Sequence, residues 1–144
     1  MMSVVDALDN RNEQKTITMP ESQILIFEKR ARWRPSLQRE LVETSIVIRA
    51  FGSLNELQAA ACECQTQRVR CVAVLDLNSA LSNVLQFLAA TQAQLPGLAS
   101  VVIGSGAHAV LEPTLRELGA TSFHQLPVRR DRLAIECRNL LRVP

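Results

Sequence analysis

The apolar and polar positions of this chain alternate between two spacings, one suited to buried strands and one to helices. At the centre, Cys71–Asp76 reads CVAVLD, five apolar residues followed by a carboxylate. Such a run is too continuous for a strand with one wet face and too short for an ordinary helix. It predicts a central parallel strand covered on both faces. Gln23–Glu28 (QILIFE) turns from apolar to charged just as abruptly and predicts a first strand, with others at Ile46–Ala50, Val101–Ile103 and Thr121–Leu126. Between them the spacing becomes helical. Leu37, Leu41 and Val42 form a stripe from Pro35 to near Ser45, and Ser53-Leu54-Asn55-Glu56 has the form of a capping box that opens a helix to about Gln67. Leu81, Val84, Leu85 and Leu88 mark a helix that stops before Pro96-Gly97. A helix over 109–118 contains Pro113, in its first turn or at a kink, and ends at Gly119; Leu133, Cys137, Leu140 and Leu141 line a last one.

Five strands alternating with five helices predict an α/β fold, a single doubly wound (βα)5 three-layer sandwich with a parallel sheet of order 2-1-3-4-5. In such sheets the site lies beyond the carboxyl ends of the strands, at the switch point between the first and third. That places Glu28, Lys29, Asp76 and Asn78 around one crevice. Residues 1–21 are polar and unpatterned and are expected to form a flexible tail, leaving 22–144 as the domain.

Composition narrows the function. With 47% hydrophobic and 21% charged residues the chain is of ordinary globular make-up. No apolar run approaches the roughly 18 residues that span a bilayer, and the opening MMSVVDALDN lacks a secretory pattern, so a cytoplasmic location and no membrane partner are expected. A net charge of +2, with 3% aromatics and no Tyr, argues against nucleic acid. Cys62 and Cys64 lie two apart on a helix and point to different sides, so the four cysteines read as reduced, packed thiols. His108 and His124 show no metal-ligand spacing and no nucleophile elbow, and both read as structural. No catalytic set emerges, and the expectation is a binding module rather than an enzyme.

Four motifs in order resemble the response-regulator receiver domain, a flavodoxin-like family, over about residues 22–142. AVLDLN places Asp76 at the phosphoryl-acceptor position, VVIGSG places Ser105 at the hydroxyl position, and GATSFHQLP places Phe123 at the switch aromatic and Pro127 at the proline that follows a cis bond. Two departures stand beside these matches. The acidic pair that helps hold Mg²⁺ in the family reads Glu28-Lys29, and the lysine before the proline reads Leu126. Phosphoryl transfer to an aspartate rests on positioning and charge neutralisation, so the resemblance implies a degenerate receiver, without cofactor, acting through a protein partner. The alternative is a working phosphorelay receiver in which Glu28 and Asp76 hold Mg²⁺ and Asp76 is the phosphoacceptor; a small flavodoxin-like nucleotide or phosphate binder is a third reading. Lys29 could serve as a built-in counter-ion for Asp76, or point to solvent.

The basic residues Lys29, Arg30, Arg32 and Arg34 follow the first strand, and Arg129 and Arg130 follow the fifth. All are placed on the carboxyl edge of the sheet, an anion-facing rim suited to an acidic protein surface or simply a solvated one. Positive side chains at the start of the last helix oppose its dipole, so helix stability does not account for Arg129 and Arg130. Trp33 within this rim reads as a binding anchor or as a lid on the sheet edge. Receivers also pair through the last strand and last two helices, which implies a homodimer surface there.

Overall fold

The apolar run at the middle of the sequence is a strand with two dry faces. In the computed structural model, which describes residues 22–142, it is the third of five strands: β1 (Gln23–Phe27), β2 (Val47–Phe51), β3 (Cys71–Asp76), β4 (Ala99–Gly104) and β5 (Ser122–Gln125). The strands are parallel and lie in the order 2-1-3-4-5. The expected tail 1–21 and the last two residues lie outside the described residues.

The pleat sends successive side chains of β1 and β3 to opposite faces. Leu25, Phe27, Ala73 and Leu75 pack against α2 (Leu54–Thr66), α3 (Leu81–Gln94) and α4 (Glu112–Glu117), while Ile24, Ile26, Val72 and Val74 pack against α1 (Trp33–Glu40) and α5 (Arg130–Arg142). Both sets are fully buried, which is why the sequence shows no alternation there.

Several boundaries differ from expectation for local reasons. α1 begins at Trp33, two residues before Pro35, and ends at Glu40. The chain leaves it through a turn in which Thr44 Oγ1 donates to the Leu41 carbonyl at 2.7 Å. α2 opens as its capping box predicts, with Ser53 accepting from the Glu56 N–H at 3.5 Å. The expected helix over 109–118 is a 3-10 turn, Gly106–Leu111, followed by the short α4, whose first turn takes Pro113. Gly119 ends that segment at φ 106°, a conformation that favours glycine.

Candidate functional site

The carboxyl edge of the sheet is built by the loops after β1, β3, β4 and β5. At the end of β3, Asp76 is half-buried and held by its own loop. Its Oδ1 accepts the Asn78 N–H at 3.0 Å, and its Oδ2 accepts the Ser79 hydroxyl at 3.1 Å. Ser79 Oγ in turn accepts the backbone N–H of Lys29 at 3.0 Å, so one hydroxyl ties the loop after β3 to the loop after β1. The sequence signal for this was D-x-N-S, an Asp followed by residues that close a turn on its carboxylate.

Glu28 was expected in the crevice, and the structure corrects this. The residue is only 5% exposed, and its carboxylate is bound to the start of α1. Oε1 accepts the N–H groups of Arg32 at 3.0 Å and Trp33 at 2.9 Å, and Oε2 accepts that of Arg34 at 3.1 Å. α1 has no side-chain cap at Arg32 and no acid in its first turn. Glu28 supplies both the missing acceptor and a negative charge at the positive end of the helix.

Lys29 is not the counter-ion of Asp76: among the described residues the ion pairs join Arg116 to Glu112, His124 to Glu136, Arg129 to Asp131 and Arg130 to Glu40. Its side chain lines a groove of about 460 Å³ between α2 and α3, beside Phe27, Ser53 and Phe87. The alternation of β1 continues one step past its end, sending Phe27 and Lys29 to the α2–α3 side and Glu28 to the α1 side.

Ser105 and Leu126 are also otherwise engaged. The Ser105 N–H donates to His108 Nδ1 at 3.2 Å and its hydroxyl lies 3.4 Å from the same nitrogen, a reciprocal cap on the 3-10 turn. Gly104 makes this possible, since a Cβ there would come within 2.9 Å of His108 Nδ1. Leu126, expected at the crevice, instead packs with the α1–α5 core because its side chain is apolar and that core is adjacent. The Leu126–Pro127 bond is cis. Phe123 packs at the edge of the α2–α4 core.

The basic rim is broken into pairs. Arg129 binds both oxygens of Asp131, at 3.1 and 2.7 Å, and this guanidinium holds the Asp131 carboxyl below its usual range. Arg130 lies 3.6 Å from Glu40 of α1. These acids account for the two arginines at the start of α5 without a ligand. The Arg32 guanidinium stacks 4.7 Å from the centre of the Trp33 ring. Trp33 itself is 4% exposed within the α1–α5 core, so it is a lid over the sheet and not an exposed anchor. Arg30 and Arg34 remain exposed.

The residues present do not fit a divalent cation. Glu28 spends both oxygens on α1, a lysine follows it, and Asp76 has both oxygens engaged; among the described residues no three His, Cys, Asp or Glu cluster as metal ligands. Mg²⁺ requires near-octahedral oxygen ligation. The contact of His124 Nε2 with Glu136, which joins β5 to α5, and the hydrogen bond from the Cys64 thiol to Gln23 Oε1 at 3.5 Å, at the opposite end of the sheet, carry no signal in the sequence.

No family model and no curated protein matches this chain. Solved structures do. The receiver domain of the TMAO respiratory system response regulator TorR is 20% identical, with a TM-score of 0.69 over 83% of this chain and 96% of that one. A receiver domain protein from Clostridium thermocellum is 15% identical, with a TM-score of 0.69 over 83% and 94%. FixJ-N is 21% identical, with a TM-score of 0.66 over 85% and 94%. The architecture of this chain is the flavodoxin-like fold of receiver domains.

Proposed function

We propose that this chain is a receiver-like module of two-component signalling that acts by binding another protein, without the usual aspartyl phosphorylation and without catalysis of its own. The observation that carries this reading is the buried Glu28 carboxylate, committed to three N–H groups of α1 and so withdrawn from any metal. The Ser105–His108 cap supports it by engaging the Ser105 hydroxyl, and Leu126 supports it because an apolar side chain packed on the core offers no cation to a phosphoryl oxygen. A switch driven by phosphorylation needs a ligand that favours one state by several kcal/mol. Here Asp76 is the phosphoacceptor-equivalent position, and its two carboxylate oxygens accept the Asn78 amide and the Ser79 hydroxyl of its own loop.

The partner is a protein. An acidic surface suits the exposed Arg30 and Arg34, and self-pairing suits the face of α4, β5 and α5, where Ile135 of α5 is 52% exposed and Val110, in the 3-10 turn that leads into α4, is 82% exposed. Treatment with acetyl phosphate and Mg²⁺ followed by intact-mass spectrometry tests the reading. An unchanged mass is expected. A gain of one phosphoryl group that disappears in Asp76→Asn would sink the proposal and favour a working phosphorelay receiver.

A further inference from the structure

The groove of about 460 Å³ that takes Lys29 has walls of one chemical kind. Asn55 and Gln58 of α2 line one side, and Asn83 and Gln86 of α3 line the other. Residues three apart share a helix face, so each wall presents two carboxamides to the space between. Beneath them the floor is apolar, with Phe27 and Phe87 only 1% and 4% exposed. Gln58 Nε2 donates to Gln94 Oε1 at 2.8 Å, a bridge from α2 to α3 that closes the groove one turn past Ala90. At the other end, on the carboxyl edge of the sheet, stands Lys29, its backbone N–H held by Ser79 Oγ at 3.0 Å. Among the described residues, Lys29 is the one charged group in the lining and no acidic residue belongs to it.

We propose that this groove docks an extended acidic segment of the partner protein, with a carboxylate at Lys29 and the peptide units between the two carboxamide walls. A carboxamide carries both donors and an acceptor, the same inventory as a peptide unit, so facing pairs of them can bracket a main chain of any sequence. The charge at Lys29 then selects an acid at one end. Asn83 and Ala90 lie about two turns apart on α3, roughly 10 Å at 1.5 Å per residue, which accommodates about three extended residues. A nucleotide base fits less well, because both rings of the floor have their faces covered by the core and offer none for stacking. The two nearby acids do not compete for Lys29. Glu28 is bound to the start of α1, and Asp76 to its own loop.

This rests on the reading of the chain as a protein-binding module and gives that partner a place and a chemistry. Arg30 and Arg34, which are exposed but outside the groove, have no part in it.

The test is titration of the isotope-labelled full chain, followed by its amide NMR shifts, with blocked tripeptides of sequence Ala-Asp-Ala and Ala-Asn-Ala and with inorganic phosphate. The aspartyl peptide is expected to move the amides of residues 53–58 and 83–90 in the millimolar range, and the asparaginyl peptide to bind about threefold to fivefold more weakly, the scale of an exposed ion pair. Lys29→Met should abolish that preference, Asn83→Asp should weaken the aspartyl peptide by placing a like charge in the wall, and Arg34→Ala should change nothing. Lys29 and Asn83 are both exposed, and the spectrum of each variant reports its own folding. Unmoved amides, equal affinity for the two tripeptides, shifts centred on residues 30–34, or the same shifts from phosphate at lower concentration would each overturn the proposal. No phosphodonor is present, so a silent groove leaves the Asp76 result untouched, and a phosphorylated Asp76 in the mass experiment leaves the groove standing.

Discussion

Glu28 and Asp76 leave the sheet at the same level, each following one member of the register pair Phe27 and Leu75, yet their carboxylates have different fates. Glu28 is buried and answers three amide donors of one helix; Asp76 is half-exposed and answers one amide and one hydroxyl of its own short loop. The fate of a strand-end carboxylate is decided by which following segment returns N–H groups to it. After β1 that segment is a helix start pinned by the burial of Trp33, and after β3 it is a tight turn.

The sharpest way to break this comparison is to remove each carboxylate. Glu28→Ala leaves three amides at the α1 start without their acceptor and should cost roughly 1.5–3 kcal/mol, the range for hydrogen bonds to a charged group. Urea denaturation would read it, and a loss below half a kcal/mol would show that water replaces the carboxylate. Asp76→Asn keeps an acceptor for Asn78 and should change stability by less than about 1 kcal/mol.

Metal binding sharpens the same contrast. Lys29→Asp supplies a carboxylate beside Asp76 and should improve Mg²⁺ binding over the parent, but calorimetry should find it still weaker than submillimolar because Glu28 remains engaged with α1. Submillimolar affinity in the parent chain would mean that Glu28 leaves the helix readily.

The smallest effect belongs to an exposed carboxylate, Asp131. Arg129 depresses its pKa in the fold, so its contribution is present above the unfolded pKa and is lost as pH falls through the lower folded value. Arg129→Ala should move the Asp131 titration upward in an NMR pH series while leaving stability near pH 7 nearly unchanged. An unmoved titration would mean that the ion pair does not persist in solution.

The fold was legible because its strands repeat one rule, apolar residues with no wet face, and because Pro96, Gly97 and Gly119 punctuate the elements between them. Asp76 was legible for the same reason, as the polar residue that ends the central run. Glu28 was not, since its partners are amides four to six residues ahead whose position depends on Trp33 entering the α1–α5 core. Nor was the pairing of Arg130 with Glu40, which needs α1 and α5 side by side, or the hydrogen bond of Cys64 with Gln23, which needs the end of α2 to lie over the start of β1. In each case the residue types were visible, and the path of the backbone between them was not.

The burial of Trp33 also makes the protein its own optical reporter. It is the only tryptophan in a chain without tyrosine, so excitation at long ultraviolet wavelengths sees one ring at one place. That ring sits 4% exposed under Arg32, on the residue whose amide binds Glu28. Its emission should be blue-shifted in the native protein and move to the red when the start of α1 opens, before the sheet itself is lost if that opening is local. A single indole therefore converts the state of one carboxylate into a colour.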